Sequence, residues 1–269
     1  MADYEKMGFT KPADWPEPTR ENTEVTYPTR PYFSSVNDTE LREPILKLGK
    51  MITDRPLQKL GLKKITLDDP EYWALAAVLT DEEAELALTF GGIRQPLTFE
   101  EVCERNPQLS TDKVQKLLDH MSYVGVVEWN NENLDGKNPE GKRRYLVPMY
   151  VPGSAEFTNM NADIINEKPE MGMFFHLMTK LPLEKVTPMV PLGGAGVGMH
   201  VIPVEKAIEM ENESVDVEHI SHWLEKYEGK YAKSPCSCRR SRKTYDEGCG
   251  DDERGWCIAV GDMADYVVE

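Results

Sequence analysis

The chain has 269 residues, of which 47 are acidic and 31 basic, giving a formal net charge of −16, and 40 % are apolar. That length is enough for two modest domains with cores of their own. The apolar runs are only a handful of residues long, which excludes a membrane-spanning helix, and the acidity argues against nucleic acid, whose phosphates call for a basic surface. Residues 1–44 carry Pro12, Pro16, Pro18, Pro28, Pro31 and Pro44 with Trp15, Tyr27, Tyr32 and Phe33 between them. So many prolines oppose regular structure, and the aromatics oppose plain disorder, so an extended arm packed on its own core or on a partner is expected.

Residues 45–153 read as a winged-helix-like domain. A helix over 45–66 breaks near Pro56, and Asp69 is expected to cap the next one, through Tyr72, Trp73, Leu75, Ala76, Val78 and Leu79. Thr80 with Glu83, three residues on, forms a capping-box pattern, and the helix it opens ends at Gly91-Gly92. Thr98 with Glu101 opens another, and Ser110 caps TDKVQKLLDHMSYVG. Val126–Trp129 alternates as a strand, a polar loop follows over 130–144, and Tyr145–Pro148 returns as a second strand. Helices followed by strand, wing and strand are the winged-helix plan, a relative of helix-turn-helix. The helix in the recognition position carries Asp112, Lys113, Gln115, Lys116, Asp119 and His120 and has no arginine to read guanine. A packing or docking role is therefore expected in place of DNA binding. Cys103, inside this domain, reads as a buried apolar cysteine.

Residues 154–198 form a helical and loop connector. Its Met- and aromatic-rich MGMFFHLMTKLPLEKV reads as a core helix, with His176 as a satisfied interior histidine. GGAGVG at 193–198 is similar to a dinucleotide fingerprint, but it leads into MHVIPV, a strand pattern, so no helix N-terminus faces a pyrophosphate. Residues 199–269 form an α+β segment. Strand HVIPV and an acidic turn precede an amphipathic helix with Val217, Ile220, Trp223, Leu224 and Tyr227 on one face, and the chain then reaches its cysteines directly. His219 and His222 lie three apart on this helix, with no third ligand nearby.

Cys236, Cys238, Cys249 and Cys257 follow the spacing C-x-C-x10-C-x7-C. Four soft thiolates in one segment can hold one soft metal centre, and thiolates are also the ligands of iron–sulfur clusters. Gly248, Gly250 and Gly255 let the backbone bend round a bulky inorganic core, and Arg239, Arg240, Arg242 and Lys243 offset its negative charge. Disulfides are the competing reading, but MADYEKMGFTKPADWPE lacks the apolar core of a secretory signal, so a reducing cytoplasm is expected. Structural zinc is the other, although C-x-C is tighter than the usual C-x2-4-C knuckle. A 4Fe–4S cluster is the leading expectation and zinc the lesser alternative.

CSCRR, GCG and WCIAVGDMADY together resemble the iron–sulfur region of anaerobic pyridine-nucleotide-disulfide oxidoreductases similar to the small subunit of glutamate synthase. The shared pattern is carried by Cys236, Cys238, Arg239, Gly248, Cys249, Cys257, Gly261, Asp262 and Ala264, with a looser likeness upstream through VPGSAEF at 151–157. The resemblance implies electron transfer with a flavin- or NAD(P)H-dependent oxidoreductase partner in anaerobic metabolism, with no bond-making residue in this chain. Such proteins continue into a second cysteine-rich segment and a flavin domain, whereas this chain stops at Glu269, as a stand-alone subunit or as part of something longer. The apolar pattern Ile258, Ala259, Val260, Met263, Ala264, Tyr266 and Val267 beside the cysteines is expected to dock that partner. The alternative function is an iron–sulfur or zinc-containing winged-helix transcriptional regulator.

Overall fold

A computed structural model describes residues 34–53, 64–131, 133, 136–175, 177, 220–244 and 256–269. The fold is mixed α and β. Helices make up most of it, with a three-stranded and a two-stranded antiparallel sheet. Among the described residues no helix is long and apolar enough to cross a membrane. Most of the proline-rich arm, the GGAGVG run, the HVIPV pattern, His176, His219 and Cys249 lie outside the described residues.

Helix α1 (Glu43–Thr53) turns Ile45, Leu48 and Ile52 into the core. It lies against α2 (Pro70–Val78) so closely that a Cβ on Gly49 would stand 2.7 Å from the Glu71 carbonyl oxygen. Asp69 occupies the N-cap position of α2 but makes no side-chain cap bond. Its carboxylate instead accepts the Thr66 amide at 2.6 Å and the Thr66 hydroxyl at 3.0 Å.

The capping boxes form as the sequence reads. Thr80 and Glu83 exchange bonds at the start of α3 (Asp81–Leu88), and Thr98 and Glu101 do so at α4 (Phe99–Arg105). Ser110 accepts the Lys113 amide at the start of α5 (Thr111–Tyr123). Each box satisfies backbone donors that the first turn leaves without partners.

The sheet strands are shorter than the sequence suggests. β1 (Leu97–Thr98), β2 (Glu128–Asn130) and β3 (Arg144–Leu146) form one antiparallel sheet in the order β1-β3-β2, with Trp129 opposite Tyr145. Val126 and Val127, expected in the strand, instead bend back so that both amides donate to the Met121 carbonyl, and both side chains are fully buried. In the loop between β2 and β3, Asn138 bonds to Lys142 through both ends of its amide.

After β3 a π-helical turn (Tyr150–Ser154) leads into α6 (Ala155–Met160) and α7 (Ala162–Glu167), and helix continues over 169–175. Met171, Phe174 and Phe175 are buried there, so the described start of the Met- and aromatic-rich segment supplies core. Helix α8 (Ile220–Lys226) follows the undescribed region, with His222 edge-on to Trp223. The chain does not pass straight from this helix to the cysteines. A strand, β4 (Tyr231–Pro235), intervenes and pairs with β5 (Trp256–Val260), while α9 (Ser237–Lys243) lies between them in sequence.

The last helix, α10 (Asp262–Val268), ties this hairpin to the rest. Tyr266 is buried, and its hydroxyl donates toward the Ser122 carbonyl at 2.9 Å and the Val127 carbonyl at 3.1 Å. Its ring meets Trp129 and Phe157 edge-on, with centroids 5.9 and 4.9 Å apart. Arg143 lies over the Trp129 ring and holds Glu269 through two bonds, at 2.9 and 2.7 Å. The apolar C-terminal pattern is therefore largely consumed within the chain. Ala264 and Tyr266 are buried and Met263 and Val267 pack on the core, while Ile258 and Val268 remain exposed.

Candidate metal centre

The β4–β5 register sets Ser234 opposite Cys257 and Pro235 opposite Trp256, so Cys257 arrives next to the segment that carries Cys236. Cys236 is the N-cap residue of α9, Ser237 its first helical residue, and Cys238 lies one further on. Ser237 is buried, and its hydroxyl stands 3.9 Å from the Cys257 sulfur. Cys103, Cys236, Cys238 and Cys257 all carry free thiols.

The electrostatics agree with that convergence. Burial pushes the Cys257 thiol above its usual range, the Ser237 amide and hydroxyl pull it back, and Cys236 pushes it up again through its charge and a direct hydrogen bond. Cys238 is exposed at the surface, and the partial desolvation it meets there raises its thiol, reinforced by Cys236, Cys257 and Glu156 and opposed by the Ser237 hydroxyl. Three sulfurs, two from the start of α9 and one from β5, thus feel one another. Like charges this close disfavour shared ionisation unless a cation joins them. Cys103 stands apart in α4, partly buried against the core, with its thiol raised by burial and by Glu100.

Cys249 falls in the connection from α9 to β5, outside the described residues. Among the described residues no group of three or more His, Cys, Asp or Glu side chains is arranged to hold a metal ion. The three neighbouring thiols fit the donor chemistry of a soft centre, and the fourth predicted thiol belongs to the segment that bridges them.

The surroundings hold this end of the molecule in place. The Ser241 hydroxyl donates to the Gly172 carbonyl at 2.7 Å, and a Cβ on Gly172 would stand 2.5 Å from the Thr244 methyl, so α9 is seated closely on the 169–175 helix. α9 also packs on α6, where Glu156 accepts the Gly153 amide at 2.8 Å. Arg240, Arg242 and Lys243 occupy the last turn of α9, and the Arg240 Nε is buried with no hydrogen-bond partner among the described residues.

The Gly-Asp-x-Ala sequence after the last cysteine has a local explanation. Gly261 adopts φ +67°, with Tyr227 so near that a Cβ would stand 3.1 Å from its ring. Asp262 pairs with Lys230 at 3.0 Å, and Ala264 is buried. These residues turn the chain from β5 into α10.

The sequence pointed to the cysteines, glycines and arginines. It gave no sign of Ser237, which reaches Cys257 only through strand pairing, or of Glu156, which lies 82 residues from Cys238 in the chain. Comparison with family models, characterised proteins and solved structures finds no match to this chain.

Proposed function

We propose that the chain is an iron–sulfur electron-transfer protein, or the electron-transfer subunit of an assembly, that works with a flavin- or NAD(P)H-dependent oxidoreductase in the cytoplasm. The observation that carries this reading is the convergence of Cys236, Cys238 and Cys257 at one end of the β4–β5 hairpin, with Cys249 in the connection between. These four residues would hold a 4Fe–4S cluster, whose chemistry is the passage of single electrons. The chain's own part is to set burial, charge and hydrogen bonding at the sulfurs. Ser237 supplies an amide and a hydroxyl at Cys257, and the basic turn of α9 offsets negative charge. The resemblance to the iron–sulfur region of anaerobic pyridine-nucleotide-disulfide oxidoreductases supports the same reading.

The order α3-β1-α4-α5-β2-β3, with sheet order β1-β3-β2, supports reading this part of the chain as a winged-helix-like domain. That order favours a second reading, a metal-containing transcriptional regulator. The ion pairs count against it. Lys113 is bound to Glu82, Lys142 to Glu140 and Arg143 to Glu269, so cations that would meet phosphate are already engaged. Docking is the better use of this domain.

Metal and acid-labile sulfide analysis of the anaerobically purified full chain tests the proposal. About four irons and four sulfides per chain are expected. Cys238→Ser or Cys249→Ser should remove them, and Cys103→Ser should leave them in place. Stoichiometric zinc without sulfide would overturn the cluster and leave the zinc-stapled alternative standing.

A further inference from the structure

Ser237 stands between Cys236 and Cys238 at the start of α9, and burial sets it apart from both. Cys236 is half-buried and Cys238 exposed, whereas Ser237 is 2 % exposed. A hydroxyl taken out of water needs a partner. The Ser237 hydroxyl meets sulfur. Cys257 Sγ stands 3.9 Å from its Oγ, and the Cys238 thiol feels the same group. Ser241, one turn further along α9, is equally buried, but its hydroxyl donates to the backbone carbonyl of Gly172 at 2.7 Å. Two buried serines on one helix therefore do different things, one seating α9 on its neighbour and the other facing the cysteines.

The direction of the Ser237 bond depends on what the sulfur carries. With a free thiol at Cys257 either atom can donate. A sulfur bound to a metal has lost its proton, which leaves the hydroxyl as the donor. Hydrogen bonds to an anionic acceptor are stronger than neutral ones, and stronger again away from water. An electron added to a thiolate-ligated centre increases the negative charge that its sulfurs share, so a buried donor at one of them favours the reduced state.

We propose that Ser237 is the positioning residue of this centre: its hydroxyl donates to the Cys257 sulfur, holds that ligand toward the metal, and favours the reduced over the oxidised state. The proposal rests on the reading of Cys236, Cys238, Cys249 and Cys257 as ligands. The donor comes from α9 and the acceptor from β5, so one hydrogen bond ties together two elements that carry the ligand set. The basic last turn of α9 acts differently, through charge on the centre as a whole.

Two measurements on the full chain test it. The first is an anaerobic redox titration of the iron-loaded protein, with iron and sulfide content determined for every variant. At a fixed ambient potential the reduced-to-oxidised ratio of Ser237→Ala should fall by about fivefold, which is about 40 mV for one electron. Ser237→Thr, which keeps the hydroxyl, should stay within about twofold of the parent. Ser241→Ala should lower the melting temperature and leave the midpoint where it was, because its hydroxyl serves Gly172. The second measurement is a Cd²⁺ titration of the reduced, metal-free chain, followed by thiolate–cadmium absorption. Ser237→Ala should bind Cd²⁺ about tenfold more weakly, the scale of a lost partner to a metal ligand. Cadmium reads the Ser237 bond whether the resident group is iron–sulfur or zinc, and also if Ser237→Ala fails to hold a cluster. Parent protein without iron and sulfide would therefore sink the cluster reading alone. Equal midpoints in loaded Ser237→Ala and parent, equal Cd²⁺ affinities, or a midpoint shift as large in Ser241→Ala, would overturn the role of Ser237.

Discussion

Tyr266→Phe removes one oxygen atom at the joint between the cysteine-bearing hairpin and the helical part of the chain. The phenol hydroxyl reaches two carbonyl oxygens, those of Ser122 and Val127. Deleting a buried donor costs about 1–3 kcal/mol once the stranded acceptors are included. Ser122 keeps a second donor in the Gly125 amide, at 3.1 Å, so the cost belongs at the lower end, about 1–2 kcal/mol. The phenylalanine ring retains the edge-on contacts with Trp129 and Phe157. Tyr266→Ala loses these as well and should cost about 3–5 kcal/mol. In a chain of this size each kcal/mol moves the melting midpoint by roughly 2–4 °C. Urea unfolding followed by far-UV circular dichroism, with Trp fluorescence as a second probe of the Trp129 region, measures both. If Tyr266→Phe matches the parent protein, or Tyr266→Ala costs no more than Tyr266→Phe, Tyr266 is not the anchor described here.

Gly125→Ala should destabilise by at least about 2 kcal/mol in the same assay, because Gly125 has φ +76° and a Cβ there would meet the Thr158 amide nitrogen at 2.6 Å; a neutral result would contradict that close approach of α6. Glu156 has its carboxyl raised mainly by burial, with the Gly153 amide opposing. A raised acid favours the protonated fold, so its contribution is fully present below the unfolded glutamate value and is lost as pH rises through the folded one. The stability of the parent relative to Glu156→Gln should therefore fall as pH rises above the usual glutamate range, and parallel pH profiles would refute the burial. In gel-shift assays at about 0.15 M salt, no specific DNA complex at about 10 nM or tighter is expected, and binding to one promoter that is lost when Arg143 and Arg144 are neutralised would favour the regulator.

What was legible in the sequence was what depends on neighbours three or four residues away. Thr80–Glu83, Thr98–Glu101 and Ser110–Lys113 are local hydrogen-bonding patterns, and each forms. Asp69 shows the limit of that logic, since the cap position is right but the carboxylate finds better donors in Thr66. β1 is too short to show any alternation, and its pairing with β3 is non-local. β4, YAKSP, has no strand pattern of its own and exists through its ladder to β5. The candidate site divides in the same way. Its cysteines were evident from spacing, whereas the approach of Cys257 to the Cys236 segment depends on that ladder. The pattern around Tyr266 would look the same whether it faced a partner or its own chain, and the structure turns it inward.

The two bonds of the Tyr266 hydroxyl cross 144 and 139 residues of sequence, which has a consequence for how the molecule assembles. Contacts of such long range close late, because the chain entropy of the intervening loop is lost before they are gained. Until α10 arrives, Trp129 and Phe157 lack the ring that covers them. A chain whose helical part has formed while α10 is still undocked would leave this aromatic face open to association.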